Sequence, residues 1–126
     1  MVDLDNFKYY NDTFGHEAGD LLISCMGHLL NEVFRRVDFV SRYGGDEFVV
    51  AIPGITEEES RKRLEQLVQR MDMEVNYQES CMHISVSVGA VYSQAVVKPN
   101  TLFEAADEAL YHKKEAGRNG YYLEAL

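Results

Sequence analysis

Two acidic groups in this chain are candidates for gathering a metal ion. Asp3-Leu4-Asp5 follows Met1-Val2, which reads as the end of a buried strand, and Asp46-Glu47 stands at the tip of a turn after Gly44-Gly45. Carboxylates that converge at neighbouring strand ends can hold Mg²⁺, a hard cation that commonly takes one or two carboxylates and completes its shell with water and substrate phosphates. The alternative is that these acids are solvated loop residues. A second group is Asn11-Asp12 with Gly15-His16 and Gly19-Asp20, in which Asn11 and Asp20 can read the edge of a base. A carboxylate only accepts hydrogen bonds. Guanine presents N1–H beside an exocyclic amine where adenine presents an acceptor, so the pair would select guanine. The alternative is helix capping by Asp12 and Asp20. The third group is basic: Lys8, Lys114 and Arg118. Lys114 and Arg118 are spaced to share one side of a last helix and its cap, where they suit terminal phosphates. Cations also favour helix C-termini for dipole reasons alone.

These residues need elements to hold them. A helix is expected over Glu17–Arg36, where Leu21, Leu22, Cys25, Met26, Leu29, Leu30, Val33 and Phe34 recur at helical spacing. A strand follows at Phe39–Tyr43. The run Phe48–Ile52, ended by Pro53-Gly54, then reads as a strand covered on both faces. The glycine pair between them predicts a tight hairpin with positive φ. Thr56 and Glu59 have capping-box spacing ahead of Leu64, Leu67, Val68 and Met71. A strand alternates Ile84, Val86, Val88 and Ala90 against Ser85, Ser87 and Gly89. Thr101 and Glu104 suggest a second capping box, with Leu102, Ala106, Ala109 and Leu110 inward, Gly117 as the stop, and a closing strand at Tyr121-Tyr122-Leu123. Strands alternating with helices predict an α/β sheet with helices packed against it.

The chain has 126 residues, 46% hydrophobic and 26% charged, which is one domain's worth of ordinary globular composition. Twelve Lys+Arg against 21 Asp+Glu give a net charge of −9, which argues against gripping a nucleic-acid polymer through its phosphates. No apolar run approaches the roughly 18 residues that span a bilayer, and no signal peptide opens the chain. Cys25 and Cys81 lack metal-ligand spacing and read as reduced core or near-core residues, in keeping with a cytoplasmic protein.

Taken together, four ordered blocks resemble the GGDEF family of bacterial diguanylate cyclases. Tyr43-Gly44-Gly45-Asp46-Glu47-Phe48 contains its signature. Asp3-Leu4-Asp5-Asn6-Phe7-Lys8 is similar to its first metal strand and phosphate turn. Asn11-Asp12-Thr13-Phe14-Gly15-His16 with Gly19-Asp20 resembles its base-binding segment. Ala106-Asp107, Ala109-Leu110-Tyr111, Lys114 and Gly117-Arg118-Asn119 resemble its terminal block.

The resemblance implies an α+β palm of the nucleotidyl-cyclase kind, with a central, mostly antiparallel sheet of about five strands flanked by helices. It implies that two GTP molecules condense to cyclic di-GMP with loss of two pyrophosphates, across a homodimer of facing GGDEF domains. By matching position, Asp3, Asp46 and Glu47 with the Leu4 carbonyl bind Mg²⁺ or Mn²⁺. Asp46 and Glu47 are the catalytic acids, Asn11 and Asp20 hold guanine, and Asn6, Phe7, Lys8, Lys114 and Arg118 hold phosphates. Arg35 and Asp38 have the RxxD spacing five residues ahead of the signature, which in the family marks a product-binding inhibitory site. Arginine can fork to a phosphate or a guanine edge, and aspartate can accept from guanine. Gln66 stands where an additional arginine is expected, with Arg63 and Arg70 nearby. The family's N-terminal segment, first helix and start of its first strand are not matched, so residues 1–126 are expected to form one such domain with apolar surface uncovered. An upstream sensor domain, and through it a membrane tether, are expected of the full-length protein. The competing expectation is a module that binds GTP or cyclic di-GMP without turnover.

Overall fold

A computed structural model describes residues 1–126. Its centre is a three-residue strand, β1 (Val2–Leu4), which pairs antiparallel with β3 (Glu47–Ala51) on one side and β6 (Val86–Tyr92) on the other. β2 (Phe39–Gly44) continues the sheet beyond β3, and β7 (Gly120–Ala125) closes it parallel to β6. The order β2-β3-β1-β6-β7 gives the five-stranded, mostly antiparallel sheet that the family resemblance implied.

Strand alternation divides the sheet into two faces. Val2, Leu4, Phe48, Val86 and Val88 are buried in the core against α2 (His16–Val33) and α3 (Glu57–Met71), with Leu22, Met26, Leu30, Leu67 and Met71 from those helices. On the other face α4 (Pro99–Glu115) lies over β6 and β7. Its approach is set by Gly89: a Cβ there would fall among the backbone atoms of Ala106 and Leu110, 2.6 Å from Leu110 Cα. Towards β2 and β3, α4 reaches with Phe103, whose ring lies 5.0 Å from that of Tyr43, and beside it opens an apolar cavity of 720 Å³, lined by Met1, Val49, Ala51, Val91, Phe103 and Ala106 among others. No helix is long and apolar enough to cross a membrane.

Several sequence expectations are corrected here. The first long helix spans His16–Val33 and is preceded by an unforeseen α1 (Phe7–Phe14). α1 is short and fully buries none of its residues, so it lacks the wide apolar stripe that advertises a helix. Phe48 is the only fully buried residue of the β3 run; Val49 faces the cavity, and Val50, on Phe48's face, packs at the margin of the core, so both are half-covered. Neither Gly44 nor Gly45 has positive φ. The alternating run does not form one strand: it breaks at Ser85, and Ile84 belongs to a separate antiparallel ribbon, β4 (Met73–Tyr77) with β5 (Ser80–Ile84). That hairpin turns through Gln78 at φ 53, a residue type that gives no turn signal. Cys25 is half-buried and packed against the core, the near-core place expected of it, whereas Cys81 lies exposed on this ribbon.

The Thr56–Glu59 capping box is present in both directions, Glu59 N–H donating to Thr56 Oγ1 at 3.1 Å and Thr56 N–H to the Glu59 carboxylate at 3.2 Å. The one expected at Thr101 and Glu104 is absent. α4 starts earlier, with Lys98 at the N-cap and Pro99 in the first turn, where proline's fixed φ and missing N–H cost nothing.

The contact at Gly89 yields a direct expectation. Gly89→Ala must push α4 away from β6, and overpacking of this kind costs about 1–3 kcal/mol. Urea denaturation should show a lowered midpoint with an unchanged slope, and an unchanged midpoint would mean that α4 yields without penalty.

Candidate active site at the end of the central strand

The register of β1 does most of the assembly. Asp3 lies opposite Glu47 on one side and Ser87 on the other. Leu4 N–H donates to the Asp46 carbonyl at 3.3 Å, which ties the tip of the β2–β3 hairpin to the strand bearing Asp3. Arg42, which the sequence did not single out, secures the same tip by donating to the Gly45 carbonyl at 2.8 Å. The turn residues Gly45 and Asp46 therefore stand beside the C-terminal end of β1, and the Asp3 and Asp46 side chains meet there. A Cβ on Gly44 or Gly45 would touch nothing, so the space around this backbone is open.

Asp3 is buried, and its environment is uneven. One oxygen pairs with the Lys114 ammonium, reached from the last turn of α4. The other, Oδ1, is buried with no hydrogen-bond partner. Burial first, and then the Asp46 carboxyl beside it, push the Asp3 carboxyl up to about 6, against a partial pull downward from Lys114. An orphaned buried carboxylate oxygen is costly unless a cation or donor meets it. The donor set here, with two carboxylates and the end of a strand, is all oxygen, which fits Mg²⁺ or Mn²⁺. No cluster of three or more acidic, His or Cys side chains converges anywhere, so a metal held here would complete its shell from backbone, water or ligand oxygens, as magnesium commonly does.

The other expected residues lie on or beside α1, α2 and the end of α4. Asn6 takes a left-handed φ of 58 and opens α1 with no side-chain cap, leaving the first N–H groups of that helix unsatisfied for an anion. Phe7 packs against the core from there, and Lys8 is exposed on the first turn. Asn11 contacts the backbone of Gly19, where any Cβ would collide with its amide, so α1 and α2 place Asn11 one residue from Asp20. Asp20 is exposed, and neither it nor Asp12 caps a helix. Lys114 and Arg118 do not share a helix face as the spacing suggested. α4 ends at Glu115, Gly117 turns at φ 113, and Arg118 follows in the left-handed region at φ 61, exposed beyond the helix.

Arg35 and Asp38 lie apart from this site, in the turn after α2, and they engage each other. The Arg35 side chain donates to Asp38 at 2.9 Å and to the Pro53 carbonyl at 2.8 Å, and its backbone N–H donates to Asp38 at 2.7 Å. The Asp38 side chain is 1% exposed. Burial alone would raise its carboxyl, but the hydrogen bonds and charge of Arg35 hold it below its ordinary value.

The raised Asp3 carboxyl has a pH signature. A carboxyl whose folded value lies above its unfolded value of 3.8 holds more protons folded than unfolded between the two. Its stabilising contribution is therefore full below the lower value and is lost as pH rises through about 6. In metal-free buffer, the melting-temperature advantage of Asp3→Asn over the parent chain should grow from pH 5 to pH 8. Adding Mg²⁺ at pH 8 should then raise the parent alone. A difference that ignores pH would show that Asp3 is not a strained buried acid.

The chain matches the family described as diguanylate cyclase, GGDEF domain, over residues 1–120. It is 36% identical over 120 residues to diguanylate cyclase DgcP of Pseudomonas aeruginosa, covering 94% of this chain and 18% of that protein. Diguanylate cyclase DgcS of Shewanella oneidensis is 34% identical, with 98% and 40% covered. The chain thus spans well under half the length of these curated relatives. Among solved structures, the GGDEF domain of YfiN from Pseudomonas aeruginosa superposes with a TM-score of 0.91 at 29% identity, over 99% of this chain and 80% of that one. The GGDEF domain of DgcB from Caulobacter crescentus, solved in complex with c-di-GMP, gives 0.87 at 29% identity, over 98% and 74%. With its signature turn set against the acidic end of β1, the chain belongs to the GGDEF-domain family of diguanylate cyclases.

Proposed function

We propose that this chain is the catalytic domain of a diguanylate cyclase. Each of two facing copies holds one GTP, and each 3′-hydroxyl attacks the α-phosphorus of the other nucleotide. A P–O3′ bond forms, the bond to the β-phosphate oxygen breaks, pyrophosphate leaves and the hydroxyl proton is released. Two such steps close cyclic di-GMP. The observation that carries this reading is the buried Asp3 with its unpartnered Oδ1 beside Asp46, in a chain whose curated relatives are named diguanylate cyclases.

The residues divide the work by chemistry. Asp3 and Asp46 with the Leu4 carbonyl are the groups that would hold Mg²⁺ or Mn²⁺, with Glu47 next to Asp46 divided between metal binding and proton handling; the ion when bound would supply Lewis-acid polarisation of the phosphate and neutralise developing charge. Lys114 already stabilises the Asp3 charge, and its flexible stem lets the ammonium pass to a phosphate when nucleotide arrives. The open N–H groups from Asn6 to Lys8, the Lys8 ammonium and the Arg118 guanidinium receive the remaining phosphate oxygens. Asp20 accepts from the guanine N1–H and exocyclic amine, and Asn11 takes a neighbouring position on the same edge. The uncrowded backbone of Gly44 and Gly45 lets the nucleotide approach the acidic turn closely. Arg35, oriented by Asp38, offers its guanidinium to a product phosphate on a separate surface, a product-inhibition site of the kind the family spacing implies. A membrane tether and a sensor domain belong to the longer protein that the relatives' lengths suggest.

The decisive experiment resolves nucleotides chromatographically after incubation with GTP and Mg²⁺. Cyclic di-GMP and pyrophosphate should appear, ATP should give no product, and Asp46→Asn should lower turnover on the order of 100-fold or more while the protein still melts cooperatively. Glu47→Gln separates metal binding from proton handling: retained GTP affinity with lost turnover assigns it to the chemistry. GTP bound by a folded, dimeric, product-free sample without turnover would replace the cyclase reading with that of a binding module.

A further inference from the structure

Asp5 is the acid of the first group that the cyclase reading leaves without a role. It is 5% exposed and follows β1 on the same face as Asp3, yet its surroundings are opposite in kind. Ser87 donates its hydroxyl to Oδ1 at 2.6 Å, Ser85 donates to Oδ2 at 2.6 Å, and the backbone N–H of Asn119 donates to Oδ2 at 3.0 Å. Its own N–H donates to the Ser85 carbonyl at 2.9 Å. No cation pairs with it. With both oxygens hydrogen-bonded to neutral donors, the Asp5 carboxylate has none of the unmet valence seen at Asp3 Oδ1.

What those donors belong to is the point. Ser85 and Ser87 flank the start of β6, which pairs with β1. Asn119 ends the loop that carries Arg118, in which Gly117, Arg118 and Asn119 have φ of 113, 61 and 43. Three successive left-handed residues, two of them not glycine, form a conformation that costs free energy and persists only where surrounding contacts impose it. The tie to Asp5 is one such contact. On its other side Asp5 is covalently joined to Asn6, whose own left-handed φ opens the phosphate-facing turn of α1.

We infer that Asp5 is a positioning residue for GTP: it fixes the Arg118 loop relative to the metal-binding end of β1, and it is not itself a metal ligand. Its kinetic consequence rests on the cyclase reading; the mechanical tie to Asn119 does not.

Asparagine separates the two roles. With its amide oxygen toward Ser85 and Asn119 and its amide nitrogen toward Ser87, whose hydroxyl can accept, Asp5→Asn keeps all three contacts but carries no charge for a metal. Its turnover should stay within about threefold of the parent, whereas Asp5→Ala should raise KM for GTP about tenfold with a smaller change in kcat, the size expected for losing one or two buried hydrogen bonds. In an Arg118→Ala background, Asp5→Ala should add less than about twofold, because both changes remove the same phosphate contact. In the nucleotide-free protein, amide exchange followed by NMR should be about tenfold faster at Asn119 in Asp5→Ala than in the parent or Asp5→Asn. Where Asp5→Ala does not fold, Asp5→Ser replaces it, keeping one polar group at the site while its hydroxyl lies one bond short of the position from which Oδ2 meets Asn119 and Ser85. Loss of turnover in Asp5→Asn as deep as in Asp3→Asn overturns the inference and makes Asp5 a metal ligand. Effects of Asp5→Ala and Arg118→Ala that multiply, or parental exchange at Asn119 in the truncated variant, overturn the positioning role. If the parent itself makes no cyclic di-GMP, the kinetic arm falls with the cyclase reading, and exchange at Asn119 alone decides the tie.

Discussion

A three-residue strand held between two longer ones is the constraint on which this site depends. β1 is too short to contribute much core, yet it is hydrogen-bonded on both edges, and its register against β3 and β6 decides what surrounds it. Because side chains alternate, Val2 and Leu4 enter the core and Asp3 must face the opposite way, toward α4. A slip of one residue would bury Asp3 among Leu22, Met26 and Leu67 and expose two large apolar side chains. The hydrophobic core thus enforces the placement of an acid that no folding requirement calls for. The Leu4–Asp46 backbone contact then converts strand register into side-chain proximity across more than forty residues of sequence.

The same strand end treats its two acids differently, and that difference is informative. Asp5 has its charge absorbed by three neutral donors, an arrangement that suits a permanent structural anion. Asp3 is left half-met, with one oxygen on the Lys114 ammonium and the other without a hydrogen-bond partner. Buried groups are normally satisfied, and those that are not concentrate where a ligand completes them. In a chain of net charge −9, a deliberately incomplete acid beside a second carboxyl is a place where an added cation gains more than it does anywhere on the solvated surface. The field of the protein as a whole repels nucleotides. The local elements that reverse it are few: the open N–H groups of α1 and the cations Lys8, Lys114 and Arg118.

How legible all this was in the sequence follows from what each feature rests on. Elements built on apolar periodicity were readable: α2, α3, α4, the β2–β3 pair and the closing strand are near their expected places, and the Thr56–Glu59 box is present with both hydrogen bonds. α1 and the β4–β5 ribbon were not, since α1 fully buries nothing and the ribbon turns on Gln78, with no glycine or proline to announce it. The meeting of Asp3 with Asp46 was anticipated from strand ends, whereas the Lys114–Asp3 pair and the tie from Asp5 to Asn119 were not, because they depend on where α4 ends. Spacing placed Lys114 and Arg118 on one helix. The glycine between them instead releases the chain into a left-handed turn, and counting by fours cannot see a backbone reversal.

Arg35 and Asp38 show the same limit from the other direction. The pattern R-x-x-D names two groups that suit a nucleotide, but they suit each other as well. Here they form a pair in which Asp38 is nearly inaccessible and accepts from the guanidinium with both its oxygens and from the Arg35 backbone N–H as well. A buried carboxylate of this kind is poorly placed to meet a second ligand, since removing Arg35 from it would strand a desolvated charge. Arginine is not so confined. With one edge on Asp38 and Pro53 its planar head is held in a fixed orientation, and a third of the side chain stays open to solvent. Preorganisation of that sort lowers the entropy lost when an anion docks on the free edge. In the proposed product site the two residues of the motif thus divide into one that would contact and one that would aim, the same division proposed for Asp3 and Asp5 at the end of the central strand.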